Sequence, residues 1–322
     1  MGRAPVVRTA LVTGHAGFVG GHFTRRLLAD GWAVYGVDVA NGPGEDCRRL
    51  FATSEERYDL VIHCAAVVGG RAMIEGQPMA VATDLAIDAD LWQWALRTRP
   101  GRMVYFSSSA AYPVGLQDGG VFIPSCEDLA PSLPPGTPLR LGAVRLTEDH
   151  IDLDRIQQPD QTYGLAKLVG EIQAELVRAE GVPVTVVRPF SGYGEDQALD
   201  YPFPSFIERA FRRCDPFEVW GDGEQVRDFI HISDIVDAVM VMVGEGIDGP
   251  VNLCSGVTTS FNDLAELVCA SARYVPELRH VVGAPVGVRY RVGEPSLLRS
   301  FFTPRVSLEE GVARALAARA GA

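Results

Sequence analysis

Lysine is almost absent from this chain: of its 29 basic residues, 28 are arginines and one, Lys167, is a lysine. A GC-rich coding bias replaces lysine by arginine wherever charge alone matters. A position that keeps lysine needs a compact ammonium on a flexible stem, which a planar guanidinium does not supply. Positive charge is scarce as well, with 41 acidic residues and a net charge of −12. That excludes nucleic acid as the main partner, because phosphate backbones call for a basic face, but it leaves room for a small anion held by a local arginine cluster. The six cysteines (Cys47, Cys64, Cys126, Cys214, Cys254, Cys269) are scattered without a Cys-x-x-Cys pair, which argues against a metal site or a disulfide framework. No apolar run approaches the ~20 residues that cross a bilayer, and Met1 to Val7 lack a signal-peptide core. The expectation is a cytoplasmic protein with no membrane partner. A length of 322 residues, 47% hydrophobic and 22% charged, suits one large α/β domain with a smaller one.

The lone lysine sits in Thr162-Tyr163-Gly164-Leu165-Ala166-Lys167. On a helix the i, i+4 spacing brings the Tyr163 phenol and the Lys167 ammonium to one face, and a cation held there favours the phenolate. A tyrosine activated in this way is a general base. Taken alone, Tyr-x-x-x-Lys is a common accident of helical surfaces, so its meaning depends on its neighbours.

Arg8 to Thr13 reads as a buried strand running into Gly14-His15-Ala16-Gly17-Phe18-Val19-Gly20, a helical pattern from Gly21 to Asp30, and a second strand, Ala33 to Val37, ending at Asp38. Glycines at that spacing permit a tight turn and let main chain approach a pyrophosphate lying on the helix N-terminus. With strand, helix and acid all in register, the stretch predicts dinucleotide binding. Asp38 would accept from the adenosine ribose hydroxyls and repel a 2′-phosphate, favouring NAD over NADP. Asp46 to Phe51 is read as a third strand, and Asp46 as either a contact to the adenine edge or a surface acid. Leu60 to Ala66 is a buried strand passing over the cofactor, in which His63 reads as a core histidine. Arg71, after a Gly69-Gly70 loop, reaches either a substrate anion or solvent. A helix from about Asp84 to Arg97 and a strand from Met103 to Ser107 follow. The strand opens into Ser107-Ser108-Ser109, where a hydroxyl could hold a substrate oxygen beside the tyrosine. Val114 to Asp160 lacks periodicity and is expected to be a functional lid or a disordered loop. The Tyr163 helix runs to about Glu180, ahead of a strand from Val182 to Val187.

Together these motifs resemble the extended short-chain dehydrogenase/reductases, and within them the nucleotide-sugar epimerases, dehydratases and decarboxylases. The resemblance rests on the glycine turn, Asp38, His63-Cys64-Ala65-Ala66, the serine cluster, Tyr163-x-x-x-Lys167, Arg188-Pro189-Phe190-Ser191-Gly192-Tyr193-Gly194 and Gly221-Asp222-Gly223-Glu224-Gln225-Val226-Arg227-Asp228-Phe229-Ile230-His231. It implies a doubly wound parallel sheet (Rossmann) over residues 1–188, with returning segments near 229–254, and a smaller C-terminal α/β substrate domain over 189–322. It implies that Tyr163 is the base, that Lys167 holds the nicotinamide ribose, and that Ser108 bonds the same sugar oxygen. Cofactor contacts would come from Gly14, Gly17, Phe18, Val19, Gly20, Asp38, Asp46, Ala65, Ala66, Tyr163 and Lys167. Substrate contacts would come from Arg71, Ser109, Ser191, Arg227 and Arg291, the last two gripping a diphosphate. NAD, a UDP- or GDP-linked sugar and a homodimer are the implied partners.

The departures narrow the reaction. Dehydratases and typical decarboxylases of this family carry an acid two residues before the tyrosine of the serine motif, and 3,5-epimerases carry a cysteine there; this chain has Ala110. Alanine moves no proton. What remains supports oxidation and reduction at C4, hence 4-epimerisation. A UDP-glucuronate decarboxylase stays open, with Arg71, Arg140 or Arg145 binding the carboxylate, as does a dehydratase with an acid restored by Glu148, Asp149 or His150. A non-catalytic NAD-binding sensor is the remaining alternative; such proteins typically lose the Tyr or the Lys.

Overall fold

Strand and helix alternate from the first described residues, and the alternation builds a parallel sheet. The computed structural model describes residues 7–42, 44–118, 121–123, 139–141 and 143–321, with 121–123 and 139–141 as backbone. The expectations placed on residues 1–6, on Cys126, on the Arg140 side chain and on most of the stretch between 118 and 143 lie outside the described residues. The first half contains β1 (Thr9–Thr13), α1 (Phe18–Ala29), β2 (Ala33–Val37), α2 (Cys47–Thr53), β3 (Leu60–His63), the short helices α3 (Arg71–Gly76) and α4 (Pro78–Val81), α5 (Thr83–Thr98) and β4 (Met103–Phe106). An antiparallel pair, β5 (Val121–Ile123) and β6 (Leu139–Leu141), precedes α6 (Gln161–Ala179) and β7 (Val184–Pro189). Then come β8 (Ser191–Tyr193), α7 (Pro202–Phe211), β9 (Phe217–Trp220), β10 (Val226–Arg227), β11 (Phe229–His231), α8 (Ile232–Glu245) and β12 (Val251–Leu253). The chain closes with β13 (Thr259–Ser260), α9 (Phe261–Ser271), β14 (Leu278–Val281), β15 (Tyr290–Arg291), α10 (Ser296–Arg299) and α11 (Leu308–Gly321).

Six strands form one sheet in the order β2-β1-β3-β4-β7-β12, and every pair is parallel. Such a sheet is covered on both faces, so its strands are apolar on both sides. Ala10, Val12, Leu60, Ile62, Val104 and Val251 pack against Phe23 and Leu27 of α1 and Ile235, Val239 and Met242 of α8. Their alternates Leu11, Val61, Met103, Tyr105 and Val184 meet Phe51, Leu91, Trp94 and Val177 from α2, α5 and α6. A separate core joins α7, α9 and α11 through Phe203, Phe206, Ile207, Leu264, Val268 and Val312, with Phe217 and Val219 of β9. Among the described residues no helix is long and apolar enough to cross a membrane.

One predicted element is corrected. Asp46 to Phe51, read as a strand, belongs to α2: Asp46 is the N-cap, its carboxylate accepting from Arg48 N at 3.0 Å. Cys47 and Phe51, four apart, bury on the side facing α5, a helical period misread from a short apolar run. The correction has a topological consequence. Among the described residues no strand lies beyond β2, so the chain passes from the β2 edge to β3 on the other side of β1, and the crevice opens between the carboxyl ends of β1 and β3. Elsewhere the boundaries move by a few residues: α1 starts at Phe18 instead of Gly21, and β7 at Val184 instead of Val182.

Candidate active site

A cleft of about 900 Å³ lies along the carboxyl edge of the large sheet and is closed on its other side by residues of α7, β10, β15 and the 285–287 turn. At one end the glycine turn approaches its neighbours at distances no side chain tolerates. Gly14 has φ +69°, and a Cβ there would lie 2.8 Å from Ala65 N. A Cβ on Gly20 would lie 2.1 Å from Gly14 O, so α1 starts hard against β1. At Gly17 only Gly14 O stands nearby, at 3.2 Å, leaving the helix N-terminus open to the cleft beside Phe18 and Val19. Asp38, ending β2, accepts from Ala16 N at 3.0 Å and Ala40 N at 2.9 Å, which fixes its carboxylate beside the turn. Ala65 and Ala66 line the cleft after β3, and Asp46 lines it from the α2 cap. The Arg48 guanidinium engages both Asp46 oxygens and holds its carboxyl below the usual range.

Lys167 is 3% exposed and lines the same cleft. Its Nζ lies 5.3 Å from the centroid of the Tyr105 ring and 5.9 Å from that of Tyr163. Burial opposes its charge, but Asp88, Tyr163 and Asp84 act on it through space and hold its pKa above the ordinary lysine value, with no hydrogen bond to any of them. Behind it, in-register Thr13, His63 and Tyr105 of β1, β3 and β4 form a buried row. His63 Nδ1 meets Thr13 Oγ1 at 2.8 Å, His63 Nε2 meets Asp88 Oδ1 at 3.2 Å, and Tyr105 OH donates to Asp88 Oδ2 at 2.5 Å. Both ring nitrogens of His63 are thus engaged in the core. Asp84 accepts from Val67 N at 2.6 Å, but its Oδ2 is buried without a partner, and burial pushes its carboxyl up to about 6. A glycine cradle ending on a helix N-terminus, a carboxylate at the second strand and a buried ammonium in one cleft fit a dinucleotide.

Ser107, Ser108, Ser109 and Ala110 form the adjoining wall. Ser108 Oγ accepts from Ala110 N at 3.1 Å, shaping the turn, while Ser107 points inward to Glu171, which is paired bidentately with Arg188. Ser191 lines the cleft from β8, its N–H held by Asp228 O at 2.9 Å. Arg71, Arg227 and Arg291 converge on the cleft from three elements, and Asp160 stands among them. Asp160 accepts from Arg71 Nη1 at 2.8 and 2.9 Å and from Arg291 Nη2 at 2.6 Å. Among the described residues Arg227 bonds only the main-chain oxygens of Val226 and Val286, at 2.8 and 3.3 Å. Burial, then the charge of Arg291, pushes Arg227 well below the usual guanidinium range.

The residues expected in the sequence to carry catalysis and to contact cofactor and substrate, from Gly14 to Arg291, all lie on this cleft. The alternative acids do not: Glu148 and Asp149 face a separate cavity of about 300 Å³ with Glu171 and Arg188, and His150 is bonded to Thr147 N. Arg145 donates to Gly256 O at 2.7 Å. Residues the sequence reading missed include Asp160 and, at the far end, Arg209, Trp220, Gln225 and Phe261 on the cleft, with Asp84 and Asp88 acting on Lys167 from behind it. An Asp just before a helix was a readable cap signal for Asp160; the others needed the fold.

A family model described as the NAD dependent epimerase/dehydratase family matches residues 10–254. A dTDP-4-dehydro-6-deoxy-D-allose reductase of Streptomyces bikiniensis is 27% identical over 88% of this chain and 87% of its own length. A GDP-mannose 3,5-epimerase of Arabidopsis thaliana is 25% identical over 94% of this chain and 79% of its own. In three dimensions the chain resembles a Thermus thermophilus UDP-glucose 4-epimerase solved with NAD, with a TM-score of 0.77 and 22% identity over 98% of this chain and 99% of that one. With the model covering most of the chain, and the sheet, glycine turn and Tyr-Lys pair in place, this protein belongs to the NAD-dependent epimerase/dehydratase family and takes NAD as its cofactor.

Proposed function

We propose that the protein converts a nucleotide-diphosphate sugar through a 4-keto intermediate and that the net reaction is 4-epimerisation. One observation carries the reading: Ser108, Tyr163 and Lys167 share the cleft wall with Ala110, so the site offers the groups for C4 oxidation without an acid at the position where elimination needs one. The residues from Gly14 to Gly20 hold the pyrophosphate, Asp38 the adenosine ribose, Asp46, Ala65 and Ala66 the adenine side of the cleft, and Lys167 the nicotinamide ribose. NAD held by these residues would supply the hydride acceptor and donor for C4.

The residues of the chain handle the proton. Tyr163 takes it from the C4 hydroxyl and gives it back to the C4 oxygen. Lys167 stabilises the phenolate that Tyr163 must be before it takes the proton and becomes again on returning it, since an ammonium in a dry site acts more strongly than in water. Ser108 and Ser109 hold the sugar oxygens, and Ser191 the opposite edge. Arg227 and Arg291 bind the diphosphate through charge-assisted hydrogen bonds, with Arg71 beside them. We place the cofactor on residues 1–188 with the segments returning near 229–254, the sugar nucleotide against the rest, and expect a cytoplasmic homodimer.

A second reading is one-way reduction of a 4-keto sugar, which requires the same three residues. It is favoured by the similarity to allose reductases, and differs in consuming reduced cofactor. Of the arginines that the decarboxylase reading relied on, Arg71 is paired with Asp160 and Glu75 and Arg145 donates to Gly256 O. Incubation with UDP-, dTDP- and GDP-sugars, followed by product mass and cofactor absorbance, separates them. A product of unchanged mass without net cofactor turnover supports epimerisation; stoichiometric oxidation of added NADH with a 4-keto sugar supports reduction.

A further inference from the structure

Asp160 occupies the N-cap of α6, three residues before Tyr163, where a carboxylate ordinarily accepts from main-chain N–H groups of the first turn. It makes no such bond. Both its oxygens are spent on Arg71 and one of them also on Arg291. Gln161, next in the chain, sits at φ +57°, in the left-handed region that non-glycine residues seldom adopt. The arrangement therefore gives up a helix cap and takes an unfavourable backbone geometry while its carboxylate serves the arginines.

The charges explain what those arginines are for. Arg71, Arg227 and Arg291 bring three positive charges to the cleft, against Asp160 and, on the outer edge of Arg71, Glu75. If Asp160 let go, a surplus of two would face the cleft, which is the charge of a sugar-nucleotide diphosphate. Planar guanidiniums accept a carboxylate or a phosphate through the same fork of donors. The two anions cannot hold the same N–H groups together.

We propose that Asp160 competes with the diphosphate of the ligand for the donors of Arg71 and Arg291, and so sets the affinity for the nucleotide. The inference rests on the reading of the cleft as a nucleotide-sugar site. Asp160 is a positioning residue here. It exchanges its arginine partners as the ligand enters, and because it begins the helix of Tyr163, the exchange occurs within one turn of the candidate base.

The test is calorimetric binding of UDP, dTDP, GDP and, as a control, NAD to the unmodified protein, Asp160→Asn and Asp160→Glu. Asp160→Asn should bind its preferred nucleoside diphosphate roughly tenfold or more tightly, Asp160→Glu should stay close to the unmodified protein, and NAD affinity should not change. Equal or weaker nucleotide binding by an Asp160→Asn protein that still binds NAD overturns the competition while leaving the nucleotide-sugar reading intact. Failure of all proteins to bind any of the three nucleotides overturns that reading and the competition with it. If Asp160→Asn does not fold, a structure of the unmodified protein with its preferred nucleotide decides: Arg291 turned from Asp160 to phosphate supports the proposal, and an unbroken Arg291–Asp160 pair contradicts it.

Discussion

The main-chain N–H of Asp160 donates to the carbonyl oxygen of Ala110 across 2.9 Å, clipping the start of α6 to the turn that carries Ser108. Gly164 makes the contact possible, since a Cβ there would stand 2.2 Å from that same oxygen. The relative placement of Ser108, Tyr163 and Lys167 thus depends on a backbone contact that none of those three side chains makes.

Gly164→Ala should therefore separate the turn from the helix. Forcing a methyl group into backbone costs about 1–3 kcal/mol, and a displacement of about 1 Å at reacting groups costs on the order of a hundredfold in rate. Thermal melting should show a moderate loss and turnover a much larger one, with NAD binding retained. A variant that melts lower but keeps its turnover would show that the clip serves stability alone.

Arg227 should trade stability for binding. Its guanidinium is half-buried near two other arginines and, among the described residues, bonds only carbonyl oxygens. A poorly paired charge in that setting is a cost to folding that an apolar side chain of similar reach relieves. Arg227→Leu should raise the melting temperature and weaken UDP or GDP binding by at least about tenfold, leaving NAD binding unchanged. A variant that melts lower and binds as before would contradict both halves of the argument.

Asp84 gives a pH dependence whose sign is fixed. Burial raises its folded-state pKa to about 6, above the unfolded value of about 3.9. Between those values the folded state binds more protons, so this group's contribution falls as pH rises through the window. The penalty is absent below about pH 4 and complete above about pH 6, reaching up to about 3 kcal/mol. In denaturant melts Asp84→Asn should match the unmodified protein near pH 4 and exceed it in stability at pH 7 to 8. A difference that shrinks as pH rises would reverse the assignment.

These residues also show what the sequence could reveal. β1, the glycine turn, α1 and Asp38 are contiguous, so turn geometry and helical period expose them directly, and Tyr163 and Lys167 lie within one turn of one helix. Residues 46–51 were misread because a short apolar run does not distinguish strand from helix, although Asp46 carries a cap signal. Asp160 carries a cap signal too, but its pairing was out of reach for a different reason. Its partners Arg71 and Arg291 lie 89 and 131 positions away, brought together only when the C-terminal segment returns to close the cleft. The buried row of Thr13, His63 and Tyr105 likewise depends on strand register, which no local pattern encodes.

Tyr163→Phe should lower turnover by about a hundredfold to ten-thousandfold, the range for loss of a general base, with NAD binding retained. Lys167→Arg should not rescue function, because a larger planar cation cannot take the compact buried site beside Tyr105. Turnover measured alongside NAD titration checks both, and undiminished turnover in Tyr163→Phe would remove the phenol from the proton transfer.

The most direct measurement follows a deuterium label placed at C4 of the nucleotide sugar that the protein turns over. Removal and return of the same hydride within one site predicts a product of unchanged mass, inverted at C4, with the deuterium still on that carbon. Loss of water, carbon dioxide or the label, or inversion at any other carbon, would contradict 4-epimerisation.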